Sequence, residues 1–254
     1  MPDRHFPSNA PADLVGYRAI MASFSDLAAM GAHPKYGLIS LTIDRTTGSR
    51  IDWILNFARG CARAANKIGV VLCGGNMSRG PLSISVSAHG EVESNKACLR
   101  SGGKPGDFIY VSGPLGSAAA CVRLNGLVPA DPHNLSASQK AFYKPSARFD
   151  MSKCLETASS AIDISDGLVQ DLNHILESSS CGASLESKLI PLGDSAELED
   201  GLFGGDDYEL IFTSSADLGS FDKIGRLTKE RGIKVDGEAI TPRGFDHFSD
   251  ELEP

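Results

Sequence analysis

The chain has 254 residues, room for one large core or two smaller ones, and the length favours two domains. Hydrophobic content of 41% and charged content of 22% are those of an ordinary soluble globular protein, and a formal net charge of −8 argues against wholesale attraction to a nucleic-acid backbone or an anionic membrane. An acidic chain that handles phosphates needs metal ions as intermediaries. Six cysteines (Cys61, Cys73, Cys98, Cys121, Cys154, Cys181) form no C-x-x-C pair, so they read as free, mostly buried cytosolic thiols. No apolar run approaches membrane-spanning length, and the N-terminus lacks a basic region followed by an apolar one; the expected location is the cytoplasm.

Residues 1–10 are polar and proline-bearing, with Phe6 as an anchor. Pro11 suits the first turn of a helix, and Leu14, Tyr17, Ile20, Met21, Phe24, Leu27, Ala28 and Met30 keep helical register until Gly31 ends it. Tyr36 to Ile43 alternates as a strand, and Ile51 to Ile68 carries a second amphipathic helix. Val70 to Cys73 reads as a short buried strand running into a turn at Gly74-Gly75-Asn76. Leu82, Ile84, Val86 and Ala88 then share one face of a long strand with a polar second face. Ser101 to Gly106 is the most linker-like stretch, which divides the chain into 1–98 and 99–254. Beyond it come a strand at Phe108–Val111, a glycine turn, a small-residue helix from Ala118, and a region over 126–150 of loop with some helix. Further strands follow around Ala161–Ile164, Ala183–Leu185 and Tyr208–Thr213. Strands and helices interleave throughout, which argues for α/β or α+β in two layers.

The stretch Ala161-Ile162-Asp163-Ile164-Ser165-Asp166-Gly167-Leu168 packs two carboxylates and a hydroxyl into a strand-to-helix turn. Apolar residues at Leu168, Val169, Leu172, Ile175 and Leu176 mark the helix, so Asp166 sits where an N-cap belongs. Carboxylates there can hold Mg²⁺ while first-turn amides suit phosphate oxygens; as a bare cap the same aspartate needs no ligand. Gly204-Gly205-Asp206-Asp207 repeats the theme of glycine plus acid at a strand edge. Asp26, Asp163, Asp166, Asp206 and Asp207 together make a polynuclear Mg²⁺ site worth proposing, although each alone reads as a solvated turn or helix-end residue. Gly113-x-x-Gly116-Ser117 reads as a strand–helix turn rather than a phosphate loop, and neither a Walker loop nor a dinucleotide fingerprint is present. Arg100 alone reads as a surface residue, the six histidines show no metal spacing, and serine-hydrolase and cysteine-nucleophile signatures are absent.

Taken in order, His5-Phe6-Pro7, Ser25-Asp26-Leu27-Ala28-Ala29-Met30-Gly31-Ala32, Gly74-Gly75-Asn76-Met77-Ser78-Arg79-Gly80-Pro81-Leu82, Lys104-Pro105-Gly106-Asp107, the Asp163–Leu168 turn, Gly204-Gly205-Asp206-Asp207-Tyr208-Glu209-Leu210 and Gly244-Phe245-Asp246-His247-Phe248 resemble the thiamine-monophosphate kinase family of the aminoimidazole-ribonucleotide-synthetase superfamily. The resemblance runs from about His5 to Phe248. It implies an α/β (α+β) two-domain fold whose N-terminal domain pairs into a dimeric β-barrel and whose C-terminal domain is an α/β sandwich, with ATP between the two domains of a protomer. It also implies transfer of the ATP γ-phosphoryl group to thiamine monophosphate, giving thiamine diphosphate. Carried over position by position, Asp26, Asn76, Asp163 and Asp166 are expected metal ligands, several Mg²⁺ ions included, and Asp26, Asp163 and Asp166 act on catalysis through that metal. Gly75, Asn76, Arg100 and Ser165 are expected to touch ATP. His5, Asp206 and Phe245 are expected to line the thiamine phosphate site. The implied partners are the two substrates and a second copy of the chain, with no nucleic acid or membrane.

Two departures stand beside this. The family pattern has an acidic Gly-Asp-Asp segment and a strand ending in Asp-Thr ahead of the His-Phe motif, both contributing metal ligands, whereas this sequence starts almost at the His-Phe motif. The family also has Asp where this chain has Asn76; an amide oxygen coordinates Mg²⁺ but carries no charge. An alternative reading is therefore a truncated, catalytically impaired homologue that binds nucleotide or dimerises without turnover. A third is a sister ATP enzyme of the superfamily, a purine-synthesis ligase or a hydrogenase-maturation protein.

Overall fold

The structure, a computed structural model, describes residues 1–48, 51–124, 126–129 and 131–245. In chain order the elements are α1 (Ala12–Ala29), β1 (His33–Ile43), α2 (Arg45–Gly48), α3 (Ile51–Lys67), β2 (Val71–Arg79), β3 (Ser83–Glu91), β4 (Phe108–Val111), α4 (Ser117–Arg123), α5 (Ala137–Tyr143), α6 (Ser152–Leu155), β5 (Ser160–Asp163), α7 (Leu168–Ser179), β6 (Gly182–Leu185), α8 (Leu198–Phe203), β7 (Leu210–Ser214), β8 (Asp222–Thr228), β9 (Gly232–Val235) and β10 (Glu238–Ile240). Two mixed sheets with interleaved helices make the architecture α/β (α+β). The chain forms two compact units: Met1–Cys98 with Cys121–Glu156, and Leu99–Ala120 with the chain from Thr157 onward.

In the first unit, α1 starts at Ala12 because Pro11 cannot donate an amide but its carbonyl accepts from Leu14 and Val15, both at 3.0 Å. Leu14, Ile20, Met21, Phe24 and Ala28 are buried from it. The helix stops at Gly31, which takes a left-handed φ of 69°. Helices α1 and α3 meet through glycines: a Cβ on Gly60 would overlap the Asp13 carbonyl, and one on Gly16 the Phe57 carbonyl. The three-stranded sheet has order β2-β1-β3, with β2 parallel and β3 antiparallel to β1. Register places Gly37, Ile39 and Leu41 on one face with Ile84, Val86 and Ala88. Tyr36, Leu38, Ser40 and Thr42 share the other face with Ser83, Ser85, Ser87 and His89.

The expected short, buried strand at Val70–Cys73 with a turn after it is corrected here. Strand β2 continues through Gly74, Gly75 and Asn76 to Arg79, and most of it is exposed. The glycines do not turn the chain; they fit an irregularity in the ladder, where the register shifts between Gly37 and Leu38. A Cβ on Gly75 would overlap the Ile39 carbonyl, so the residue beside Asn76 has to be glycine for the strands to pair.

The second unit holds a seven-stranded sheet of order β10-β9-β6-β8-β4-β7-β5. Its core gathers Ile109, Val111, Ile162, Ile164, Leu168, Leu172, Ile175, Ile211 and Ile224, joining the inner face of the sheet to the apolar stripe of α7. Strand β5 is an edge strand; it pairs with β7 on one side, and the Ala161 amide donates to the Leu99 carbonyl at 3.0 Å on the other. All four of its residues are buried. The four buried cysteines are Cys61, Cys98, Cys121 and Cys181; Cys154 is half-buried, Cys73 is exposed, and none of the six is in a disulfide. Among the described residues no helix is long and apolar enough to cross a membrane.

Candidate functional site

Strand β5 ends at Asp163, and the chain reverses over Ile164–Gly167 before α7 begins at Leu168. Asp163 is buried, while Ser165 and Asp166 are half-buried. Asp166 is not the helix cap the sequence suggested. Gly167 holds the N-cap position with φ 122°, a conformation an L side chain rarely takes, and no side chain caps from there. Capping comes instead from inside the helix: Asp171 Oδ2 accepts the backbone amides of Ser165 (3.0 Å), Asp166 (2.9 Å) and Gly167 (3.1 Å). Those amides are thus committed to a carboxylate of the chain and are not offered to a phosphate. Burial, with Asp166 and Asp163 close by, pushes the Asp171 carboxyl up to about 7.

A second segment is stitched onto this turn. The Ile164 amide donates to the Glu209 carbonyl (2.7 Å), Tyr208 to Ile164 (2.8 Å) and Asp206 to Ser165 (2.9 Å). Asp206 and Tyr208 both sit at left-handed φ, 71° and 53°, a strained backbone of the kind that functional loops retain. The Tyr208 hydroxyl donates to Asp206 Oδ1 at 3.1 Å and fixes that carboxylate. A third strand of chain joins at Phe245, whose amide donates to the Asp166 carbonyl at 3.1 Å. Asp163, Ser165, Asp166, Asp206 and Phe245 are thereby brought together on one hydrogen-bonded scaffold. Asp246, His247 and Phe248 lie outside the described residues.

Asp207 leaves the acidic group proposed from the sequence. Both of its oxygens take the Gly116 amide, each at 2.9 Å, so it ties the turn before α4 to the acidic segment. Burial first, then the charges of Glu209 and Asp206, push its carboxyl up to about 8. Glu209 hydrogen-bonds the Ser112 hydroxyl, which accepts the Leu210 amide at 2.8 Å. The Gly113–Ser117 stretch is accordingly the strand–helix turn that the sequence favoured. Arg100 stands elsewhere in this unit: its carbonyl accepts from Ser179 Oγ (3.2 Å), at the end of α7 remote from Asp166.

The first unit carries the remaining expected residues. Asp26 is exposed in the last turn of α1, where a carboxylate opposes the helix dipole, so helix stability does not account for it. The neighbouring Ser25 hydroxyl is buried with no hydrogen-bond partner. Asn76 pairs with Ser40, itself opposite Ser85, on the polar outer face of the sheet. His5 is exposed; its carbonyl accepts from Arg18 Nε at 3.2 Å, and the Arg18 guanidinium stacks on Phe142 at 4.2 Å. Among the described residues no three His, Cys, Asp or Glu side chains converge as a ready metal cluster.

Asp171 is the residue that sequence reasoning missed. The available signal was an acidic residue in the first turn of a helix whose cap position is glycine.

Residues 1–92 match the family model of AIR synthase related protein, N-terminal domain, and the two-sheet α/β architecture is of that class. The thiamine-monophosphate kinase of Escherichia coli (strain K12) is 38% identical over 274 residues, covering 96% of this chain and 83% of that protein. The crystal structure of thiamine-monophosphate kinase from Stenotrophomonas maltophilia K279a superposes with a TM-score of 0.87 at 32% identity, over 94% of this chain and 83% of that one. AaThiL complexed with AMPPCP and TMP superposes with a TM-score of 0.88 at 32% identity, over 97% and 84%. The chain belongs to the thiamine-monophosphate kinase family.

Proposed function

We propose that this chain transfers the γ-phosphoryl group of ATP to thiamine monophosphate, giving thiamine diphosphate. The observation that carries the reading is the gathering of Asp163, Ser165, Asp166, Asp206 and Phe245 on one hydrogen-bonded turn in a chain of this family. Support comes from the structural relative described as complexed with AMPPCP and TMP, one compound for each of the two roles.

Joining two phosphates brings one anion against another, so the chain has to align the acceptor and offset charge rather than supply a nucleophile. Asp26, Asn76, Asp163 and Asp166 are each proposed as Mg²⁺ ligands; all can present oxygen, the donor type Mg²⁺ takes. Bound Mg²⁺ supplies positive charge to the transferring phosphoryl group. Ser165, Gly75 and Asn76 are proposed to hold ATP, and Asp206, Phe245 and His5 the thiamine phosphate, Phe245 through its ring face. No side chain is assigned as general base, because the second ionisation of a phosphate monoester lies near pH ~6 and the acceptor is already charged at neutral pH. Six cysteines outside any disulfide fit a reducing compartment, the cytoplasm.

The test is direct. Purified protein given Mg-ATP and thiamine monophosphate is expected to form thiamine diphosphate in a coupled assay; nucleotide binding with no product overturns the reading. Asp166→Asn is expected to weaken Mg-ATP binding by about tenfold or more, read by calorimetry. Unchanged affinity at low Mg²⁺ would remove Asp166 from the metal shell.

A further inference from the structure

We infer that Asp171 is a positioning residue for phosphoryl transfer: its carboxylate, taking the backbone amides of Ser165, Asp166 and Gly167 at once, holds the turn that presents the proposed Mg²⁺ and ATP groups. The inference rests on the kinase reading of that turn.

Three successive amides converging on one point form a concavity that binds an anion. Here the anion is a side chain of the same chain, only 2% exposed, reaching back from the first turn of α7. Three N–H groups share that one oxygen, and buried amides left without an acceptor are costly, so the turn has one strongly preferred shape. Gly167 cannot hold it by a side chain, and a Cβ there would approach the Phe203 carbonyl carbon at 2.9 Å. The outer side of the same turn receives the Asp206 amide on the Ser165 carbonyl and the Phe245 amide on the Asp166 carbonyl. The turn is therefore clamped from within by Asp171 and from without by the two segments proposed to hold the acceptor. Removing the inner clamp lets the backbone under Ser165 and Asp166 relax, which moves the side chains that face the nucleotide. Asp171 itself touches neither substrate; it acts through the turn.

A cap that served only stability would change melting and nothing else. Calorimetric titration of the folded protein with AMPPCP and excess Mg²⁺ separates the two roles without requiring turnover. Asp171→Ala is expected to raise the dissociation constant by about tenfold or more and Asp171→Asn, which keeps one neutral acceptor oxygen, by several-fold. In the same variants, hydrogen exchange at Ser165, Asp166 and Gly167 is expected to speed up while the core strands stay protected. Either folded variant binding Mg–AMPPCP within about twofold of wild type overturns the inference, however far its melting temperature falls. Should the alanine variant fail to fold, the asparagine variant decides alone. Wild-type protein that makes no thiamine diphosphate refutes the kinase reading, and the affinity comparison still answers the question about Asp171.

Discussion

At the scale of single residues, acidic side chains close in sequence do opposite things according to the amides that reach them. Asp206 is presented by a strained backbone and steadied by the Tyr208 hydroxyl, whereas its neighbour Asp207 turns to the Gly116 amide. Burial raises the Asp207 carboxyl from 3.8 to about 8, so the folded chain holds its proton where the unfolded chain has lost it. The folded state then binds more protons between those values, and this group's contribution to stability falls as pH rises from about 4 to about 8. The slope from one such group is at most about 1.4 kcal/mol per pH unit. Asp207→Asn keeps an oxygen for the Gly116 amide and removes the titration, so its denaturation midpoints are expected to decline less between pH 5 and pH 8 than those of wild type. Parallel pH profiles for the two proteins would show that Asp207 is ionised in the folded chain. Asp163 and Asp166 were legible as candidate site residues because serine and glycine flank them at a strand end. Asp171 was not, because its three partners precede it by four to six residues and meet it only once the turn has formed.

At the scale of elements, periodicity located the helices and glycine decided how they pack. The apolar spacing from Leu14 to Met30 and from Ile51 to Ile68 predicts α1 and α3 almost to the residue. It says nothing of their closeness, which follows from Gly16 and Gly60 lying where a methyl group would meet backbone. Gly60→Ala gains about 1 kcal/mol of helix propensity and loses more to the overlap, since forced overpacking costs about 1–3 kcal/mol and backbone gives less than a side chain. A net loss of stability, read as a lower denaturant midpoint, is expected; a midpoint at or above wild type would mean that the helices separate freely. Strand β2 shows where periodicity stops informing. Its run of glycine and polar residues carries no alternation and reads as a turn, yet the strand is fixed by pairing with β1, a neighbour remote in sequence.

At the scale of the molecule, the resemblance implies a homodimer, and the first unit has a surface suited to one. Tyr36, Leu38 and Val71 are exposed on one face of its three-stranded sheet, Leu38 at 37% and Val71 at 64%. We propose that a second copy covers this face. Leu38→Glu leaves the helix-facing side of the sheet intact and is expected to weaken the dimer by at least about tenfold in sedimentation velocity. Wild-type protein that sediments as a monomer at micromolar concentration would refute the proposal. The segment Cys121–Glu156 belongs with the first unit although the chain has by then already entered the second. Composition gives no sign of that return, since the stretch is simply proline-bearing and polar.

The sequence by itself determined the family and the interleaving of strands and helices, and singled out the candidate carboxylates at residues 163–166. These depend on local pattern and on motifs held in order along the chain, which survive without any contact being known. Tertiary structure alone decided that the segments bearing Asp206 and Phe245 bond to the turn that carries Asp166, that Asp207 serves a different loop, and that Asp171 rather than Asp166 satisfies the amides before α7. Each of these is a hydrogen bond to a backbone group whose position is set by the folded chain, and a donor or acceptor of that kind carries no signature in the identity of the residue that bears it.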